Sequence, residues 1–310
     1  TTQDVVIIGD GPVGMVLELL LTKTFGLTRV FRSRSSSSTT RSRHPRAHVL
    51  NTRTMEVFRS LSISREIKEL SEPYMDRWRR FRYCTGMIGR TMSSVDHMDD
   101  EKAFDLSKHS PESVQHVSQP LLENILRKHL LPTKISPDDL VFEDFTQDEE
   151  DDTMIRVRFR DGTTVRTKYL IGADGAHSHV RQSAGLKMNG KNKLERFTSV
   201  HFRAPELWRR MDSKDAAMLS FVMNSKTLAC VVAHNFEQGE YVAQLPLYDH
   251  VNQYEQSELE ELISSCIGDS TVPFEIGSAL EWSMSALVAN SFSASKNRVF
   301  LVGDAAHVLP

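Results

Sequence analysis

The sequence predicts an α/β chain built from a nucleotide-binding parallel sheet and, in the middle of the chain, an antiparallel sheet. Three observations carry this expectation. The chain opens on "DVVIIGDGPVGMVLELLLTKTFG", which passes from an apolar strand through a glycine turn into a helix. It closes on "RVFLVGDAAHVLP", a second apolar strand that runs into Gly303-Asp304. Between about Thr198 and Pro246, four short alternating segments follow one another with no long helix between them, which is the texture of an antiparallel layer.

Each element has its own signal. Val5 to Ile8 are four β-branched residues in a row, Pro12 suits the first helical position, and "TRVFR" reads as the second strand. The Ser/Thr/Arg stretch from Ser33 to Arg43 offers almost nothing to bury and reads as a loop. "NTRTMEVFRSLSISREIKEL" predicts a helix capped by Asn51 or Thr52, and "SQPLLENILRKHLL" predicts another. "MIRVRFRDGTTVRTKYLIGADG" predicts a hairpin at Asp161-Gly162, followed by a third apolar strand. "SVHFRA", "AMLSFVMN", "LACVVAHN" and "EYVAQLPL" are the strands of the antiparallel layer, "SELEELISSCIG" is a helix, and an apolar strand returns at Val299.

The 310 residues, 39% hydrophobic and 25% charged, suffice for about two cores. A formal net charge of -3 gives no general affinity for nucleic acid, and the locally basic run from Arg29 to Arg46 reads as a solvated loop. Cys84, Cys230 and Cys266 form no metal spacing and no disulfide framework, so they are expected as buried, inert thiols in a reducing compartment, the cytosol. The opening strand leaves no room for a signal peptide, and no apolar run approaches the roughly 18 residues of a membrane span.

The opening turn, Gly9-Asp10-Gly11-Pro12-Val13-Gly14, fits GxGxxG between a strand and a helix. Its first glycine permits the turn, the second lets the backbone approach a pyrophosphate, and the third lets helix and strand pack closely. Two features depart from the simple pattern. The ribose-binding acid expected about 20 residues on is replaced by Arg32, Ser33 and Arg34, and an arginine there favours a 2'-phosphate, so an NADP-binding domain competes with other dinucleotide sites. Asp10 places a carboxylate beside the expected anion, unless it points to solvent or caps the helix.

"YLIGADGAHSHVR", from Tyr169 to Arg181, is a buried strand that ends in Ala173-Asp174-Gly175. It resembles the Asp-Gly motif of the flavin-dependent aromatic hydroxylases, the p-hydroxybenzoate hydroxylase and phenol 2-monooxygenase-like family. "FLVGDAAHVLP" resembles that family's Gly-Asp motif, "HPRAHVLNTRTMEVFRSL" its Arg-Ala segment and "SQPLLENIL" its Gln-led helix. These motifs occur in the family's order along nearly the whole chain.

The resemblance implies a Rossmann-like (GR2-type) FAD-binding domain over residues 1–72, 112–184 and 290–310, and a substrate domain over 73–111 and 185–289. It implies FAD bound by Gly9, Gly11, Pro12, Val13, Gly14, Arg34, Arg46, Gln119, Asp174, Gly175, Gly303 and Asp304, with Ser33 at the position of the ribose acid. Arg46 is the group that would reach the phosphates, while Gln119 and Asp304 would meet the ribityl chain. Arg181 is either a partner of Asp174 or a surface helix residue. His48 stands where members of the phenol hydroxylase type carry a polar residue facing the substrate. It is the candidate acceptor of the phenol proton, with a pKa suited to neutral pH; the alternative is a histidine packed near the flavin with no catalytic role. His44, His177, His179 and His307 read as loop or capping residues, and no spacing suggests a metal site. Phe202, Phe221 and Met223 line a substrate cavity or belong to the core.

By the same resemblance, NAD(P)H reduces FAD, dioxygen is captured as a flavin C4a-hydroperoxide, and a small phenolic or other aromatic substrate is hydroxylated. A homodimer is one assembly it allows. The family's continuation beyond the Gly-Asp motif is missing after Pro310, so a C-terminally truncated or diverged non-catalytic FAD- or nucleotide-binding remnant is the alternative.

Overall fold

The computed structural model describes residues 2–33, 44–45, 47–71, 79–96, 108–130, 140–248, 251 and 253–309. Within them the chain runs β1 (Thr2–Ile8), α1 (Pro12–Leu19), β2 (Val30–Ser33), β3 (Val49–Leu50), α2 (Thr52–Ser60), α3 (Ser64–Leu70), β4 (Arg80–Cys84), β5 (Thr91–Asp96), β6 (Gln115–His116), α4 (Gln119–His129), β7 (Phe142–Gln147), β8 (Ile155–Phe159) and β9 (Thr164–Gly172). It continues through α5 (His179–Ser183), β10 (Met188–Arg203), α6 (Leu207–Arg210), β11 (Leu219–Met223), β12 (Leu228–Asn235), β13 (Glu240–Pro246), α7 (Gln256–Ile267), β14 (Glu275–Ala289), β15 (Ser293–Ala294), β16 (Val299–Leu301) and β17 (His307–Val308). The chain divides into two compact units. The first comprises Thr1–Arg41, Leu122–Leu194 and Ser285–Pro310, and the second Ser42–Leu121 and Glu195–Met284.

The first unit is organised by a sheet of order β15-β16-β9-β1-β2, to which β8 and then β7 attach through β9. β16, β9, β1 and β2 run parallel. A parallel strand covered on both faces has no polar side to show, which is why Val5 to Ile8 carry no alternation. Val6 and Ile8 pack with Phe31, Phe159, Leu170 and Leu301 on one face, while Val5 and Ile7 pack with Leu17, Leu21 and Ile171 on the other. Each such side chain contributes roughly 1.5–3 kcal/mol by leaving water.

Two expectations change in detail. The hairpin turns at Gly162 (φ 86°), but its second arm and the expected third strand are one element, because no turn former interrupts Thr164 to Gly172. β9 pairs antiparallel with β8 over Thr164 to Thr167 and parallel with β1 from Arg166 onward. The helix predicted from Asn51 is two helices. Asn51 caps α2 by accepting from the Thr54 N–H at 2.9 Å, and Ser62 at φ 62° breaks the chain before α3.

The second unit carries the strand order β10-β13-β12-β11-β4-β5, antiparallel except where β11 meets β4. α7 buries Leu259, Ile263, Cys266 and Ile267, one face at helical spacing, against a core that includes Phe202, Tyr241 and Phe236. Glu255 and Glu258 close its first turn as a capping box, and Gly268 at φ 85° ends it. Arg82 lies within this unit, only 1% exposed. It donates to the Met87 and Gly89 carbonyls at 2.7 and 2.8 Å and to Thr91 Oγ1 at 2.7 Å, the donor satisfaction that a buried guanidinium requires. Phe202 is plain core, Phe221 stacks on Tyr83 at 5.0 Å between ring centroids, and Met223 is exposed. The three cysteines are free thiols: Cys84 and Cys266 are buried and Cys230 is half-buried. Burial pushes Cys230 up to about 11 and Cys266 to about 12. Among the described residues no helix is long and apolar enough to cross a membrane.

Candidate cofactor site and histidine cluster

The first unit gathers three of the sequence motifs at one sheet edge. The Gly9–Gly14 turn follows β1, Asp174-Gly175 follows β9 and Gly303-Asp304 follows β16, all at the carboxyl ends of adjacent parallel strands, the edge where α/β sheets bind ligands. Gly9 sits at φ 138°, and a Cβ there would lie 2.1 Å from the Ala173 carbonyl oxygen. At Gly14 a Cβ would lie 2.3 Å from the Gly9 carbonyl oxygen, whereas at Gly11 it would meet nothing within 4 Å. The turn is thus closed toward the protein and open at its second glycine. Pro12 begins α1, and no side chain caps the N-terminus of that helix.

The other two motifs are locked to this turn. Gly303, at φ 59°, would bring a Cβ to 3.1 Å from the Val13 side chain. Asp174 Oδ2 accepts from the His179 and Val180 N–H groups at 2.7 and 3.2 Å, while its buried Oδ1 has no hydrogen-bond partner among the described residues. Arg181 is a buried clamp rather than a surface residue. It donates to the Ala305 carbonyl at 2.9 Å and to the Ala176 carbonyl at 2.8 Å, tying the segment after β16 to the one after β9. Burial lowers its pKa, and the Asp174 charge opposes that shift. Asp304 is exposed in the turn that follows β16.

Arg32 is committed inside the protein, contrary to the expectation that it offers a 2'-phosphate site. Its Nε donates to Glu18 Oε2 at 2.7 Å and its Nη1 pairs with Asp10 Oδ1. Asp10 therefore neither points idly to solvent nor caps α1. Ser33 is fully buried and donates to the Leu140 carbonyl at 2.6 Å, so that hydroxyl hydrogen is directed into the unit rather than toward a ribose. Arg34 and Arg46 lie outside the described residues.

In the second unit, His48 and Gln119 are brought together. The Gln119 N–H donates to the Ala47 carbonyl at 3.0 Å and the Val117 N–H to the His48 carbonyl at 2.9 Å. The same pairing, β3 against β6, sets the His48 ring on His116, with Nδ1 and Nε2 2.6 Å apart. One imidazole donates its N–H and the other accepts. His234, on β12, approaches both rings, at centroid distances of 5.1 and 6.1 Å. His44 lies in a loop, as expected, but is buried there, its ring nitrogens bonded to the Ser278 and Ser199 hydroxyls at 2.8 Å each. His201 pairs with Glu240. Burial pushes His48 down to about 4; it pushes His234 to about 3 and His116 to about 2, with the neighbouring rings adding to both shifts. The expected pKa near neutrality is thus not what this environment gives His48, which stays uncharged at pH 7 and accepts a proton weakly.

A family model described as FAD binding domain matches residues 2–310. The chain belongs to this FAD-binding family. It is 28% identical to a 2,4-dichlorophenol 6-monooxygenase of Delftia acidovorans, across 99% of this chain and 53% of that relative. With a tetracenomycin A2 monooxygenase-dioxygenase of Streptomyces glaucescens it shares 27% identity, across 99% of this chain and 57% of the relative. The crystal structure of the flavin-dependent monooxygenase PieE in complex with FAD and substrate superposes with a TM-score of 0.86 at 25% identity, covering 100% of this chain and 54% of that one. The chain spans about half the length of the curated relatives it matches.

The residues of this FAD-binding chain fit a dinucleotide. Gly9 and Gly14 tolerate no side chain, the loop opens at Gly11 beside an uncapped helix start, and Asp174 Oδ1 is a buried acceptor without a donor among the described residues. The imidazole cluster, the Arg181 clamp and the Glu18–Arg32–Asp10 triad went unread in the sequence. His48 and His116 stand 68 residues apart and Arg181 and Ala305 stand 124 apart, so no local spacing announces either contact. A signal for the triad was at hand, since Asp10 is a charge where the fingerprint expects none and Arg32 is a base near where it expects an acid.

Proposed function

We propose that the protein containing this chain is an FAD-dependent aromatic monooxygenase, which hydroxylates a phenolic or related aromatic ring at the expense of NAD(P)H and dioxygen. The convergence of the glycine turn, Asp174-Gly175 and Gly303-Asp304 at the carboxyl edge of one parallel sheet carries this reading, and the names of the relatives support the substrate class. When bound, FAD supplies the redox and oxygen-transfer chemistry.

The chain's own residues have the remaining tasks. Gly9, Gly11, Pro12, Val13 and Gly14 let the backbone and the start of α1 face the pyrophosphate. Asp174 Oδ1 would accept from the bound dinucleotide and Asp304 from its hydroxyl chain, while the family resemblance gives Gln119 that same chain and Arg34 and Arg46 the phosphates. His48 accepts the phenolic hydrogen bond through Nε2 while Nδ1 is held by His116, favouring electron density on the ring to be attacked. Because the His48 ring is a weak base, it shares that proton rather than fully removing it. The three free cysteines support a reducing compartment, the cytosol.

Purified protein reconstituted with FAD tests the reading. The expected result is flavin absorbance in the visible, NAD(P)H oxidation stimulated by 2,4-dichlorophenol, and a catechol product identified by mass spectrometry. Flavin binding with no phenol-stimulated turnover and no product would reduce the chain to a cofactor-binding remnant.

A further inference from the structure

Two residues that depart from the dinucleotide fingerprint, Asp10 and Arg32, form one device with Glu18. Asp10 occupies the first variable position of the glycine turn, Arg32 is the penultimate residue of the second strand, within a residue of where an acid is expected, and Glu18 sits in the helix between them. In the fold they form a closed chain of charge, Glu18 to Arg32 to Asp10. The Arg32 and Glu18 side chains are 6% and 4% exposed, but Asp10 is 16% exposed and is the outermost member. Arg32 passes beneath the turn, its Cδ 3.6 Å from where a Gly14 Cβ would stand. The Gly9 N–H donates to the Ser33 carbonyl at 2.7 Å, so the turn that carries Asp10 is laced to the last residue of β2.

The consequence is positional. An acid at the end of β2 ordinarily accepts from the ribose hydroxyls of a bound dinucleotide. Here Ser33 holds that position with its side chain turned into the unit, and Arg32 instead draws a carboxylate from the neighbouring turn to the same strand end. The triad carries two acids against one base, so its accessible end presents an acceptor surface. That surface suits hydroxyl donors and disfavours an added phosphate. Glu18, whose pKa burial raises and Arg32 opposes, anchors the far side of the guanidinium.

We propose that Asp10, held at the end of β2 by Arg32 and Glu18, is the adenosine-ribose acceptor of this chain and makes its dinucleotide turn select an unmodified 2',3'-diol. The proposal rests on the reading of the first unit as the one that holds FAD.

The test is calorimetric titration of the flavin-free protein with ADP, 2'-deoxy-ADP and adenosine 2',5'-bisphosphate, alongside FAD binding followed by quenching of flavin fluorescence. The wild-type chain is expected to bind ADP about tenfold more tightly than 2'-deoxy-ADP, and to bind the 2'-phosphate most weakly. In Asp10→Ala, which leaves Arg32 paired with Glu18, the ADP preference is expected to vanish while 2'-deoxy-ADP affinity is retained. Equal affinity of the wild type for ADP and 2'-deoxy-ADP would overturn the proposal without any variant, and so would equal loss of both nucleotides in Asp10→Ala. FAD binding without diol preference discards the assignment of Asp10 alone. Absence of FAD binding discards it together with the reading beneath it.

Discussion

The two units differ in the buried polar groups they gather. In the first, buried charge is paired: Arg32 lies between Glu18 and Asp10, and Asp148 accepts from Arg156 and Arg166. The second also buries charge, in Arg82 and in the Glu112 carboxylate paired with Lys68 at 2.7 Å, but its distinctive feature is a group of imidazoles that burial keeps neutral. Paired charges hold one geometry across a wide pH range, because removing either proton inventory leaves an uncompensated ion. Neighbouring neutral imidazoles can exchange tautomers at little cost and respond to acid. The first arrangement suits the fixed cradle of a charged cofactor, and the second suits a place where a proton is shared.

The sharpest way to break this contrast is at Gly9. Gly9→Ala is expected to cost about 3 kcal/mol, since the backbone is at φ 138° and the new Cβ meets the Ala173 carbonyl. Thermal unfolding by circular dichroism and flavin content should both fall. A variant that melts and binds flavin like the wild type would show that the turn is not closed as described. Next in size, His48→Ala should lower hydroxylation about a hundredfold while flavin content changes little. Parallel loss of flavin and activity would assign His48 to structure.

Acid should separate the units. His48, His234 and His116 have folded pKa values of about 4, 3 and 2, all below the ordinary 6.5. Between those values and 6.5 the unfolded chain binds protons that the folded rings refuse. Their contribution to stability is therefore complete above pH 6.5 and declines as pH falls toward 4, by up to about 1.4 kcal/mol per pH unit for each ring. Trp208 and Trp282 lie in the second unit, so tryptophan fluorescence in denaturant titrations at pH 7 and pH 5 reads this loss. A midpoint that does not move would contradict the buried neutral cluster. The smallest effect is expected at Asp174→Asn, about 1 kcal/mol from weakened acceptance at the start of α5, with a weaker grip on flavin. An unchanged flavin affinity would remove Asp174 from the cofactor site.

Much of the first unit was legible because its determinants are local. The glycine turn, the unbroken apolar strand Val5 to Ile8 and the Asp-Gly and Gly-Asp strand ends each announce themselves within a few residues. The break at Ser62 and the fusion of two expected strands into β9 were not legible, since packing rather than propensity decides both. Burial of His44 and the depressed pKa of His48 were equally hidden, because desolvation depends on neighbours from distant parts of the chain.

By itself the sequence determined the order of elements, the phosphate-binding turn and the family, all properties of short segments read in succession. Only the tertiary structure decided which charges are spent on the protein itself and which face outward. Arg32 looks like a phosphate ligand until Glu18 and Asp10 are found on either side of it, and His48 looks like a neutral-pH base until His116 and His234 close around it. The chemistry of an ionisable side chain is set by the groups within a few ångströms of it, and chain position does not encode those distances.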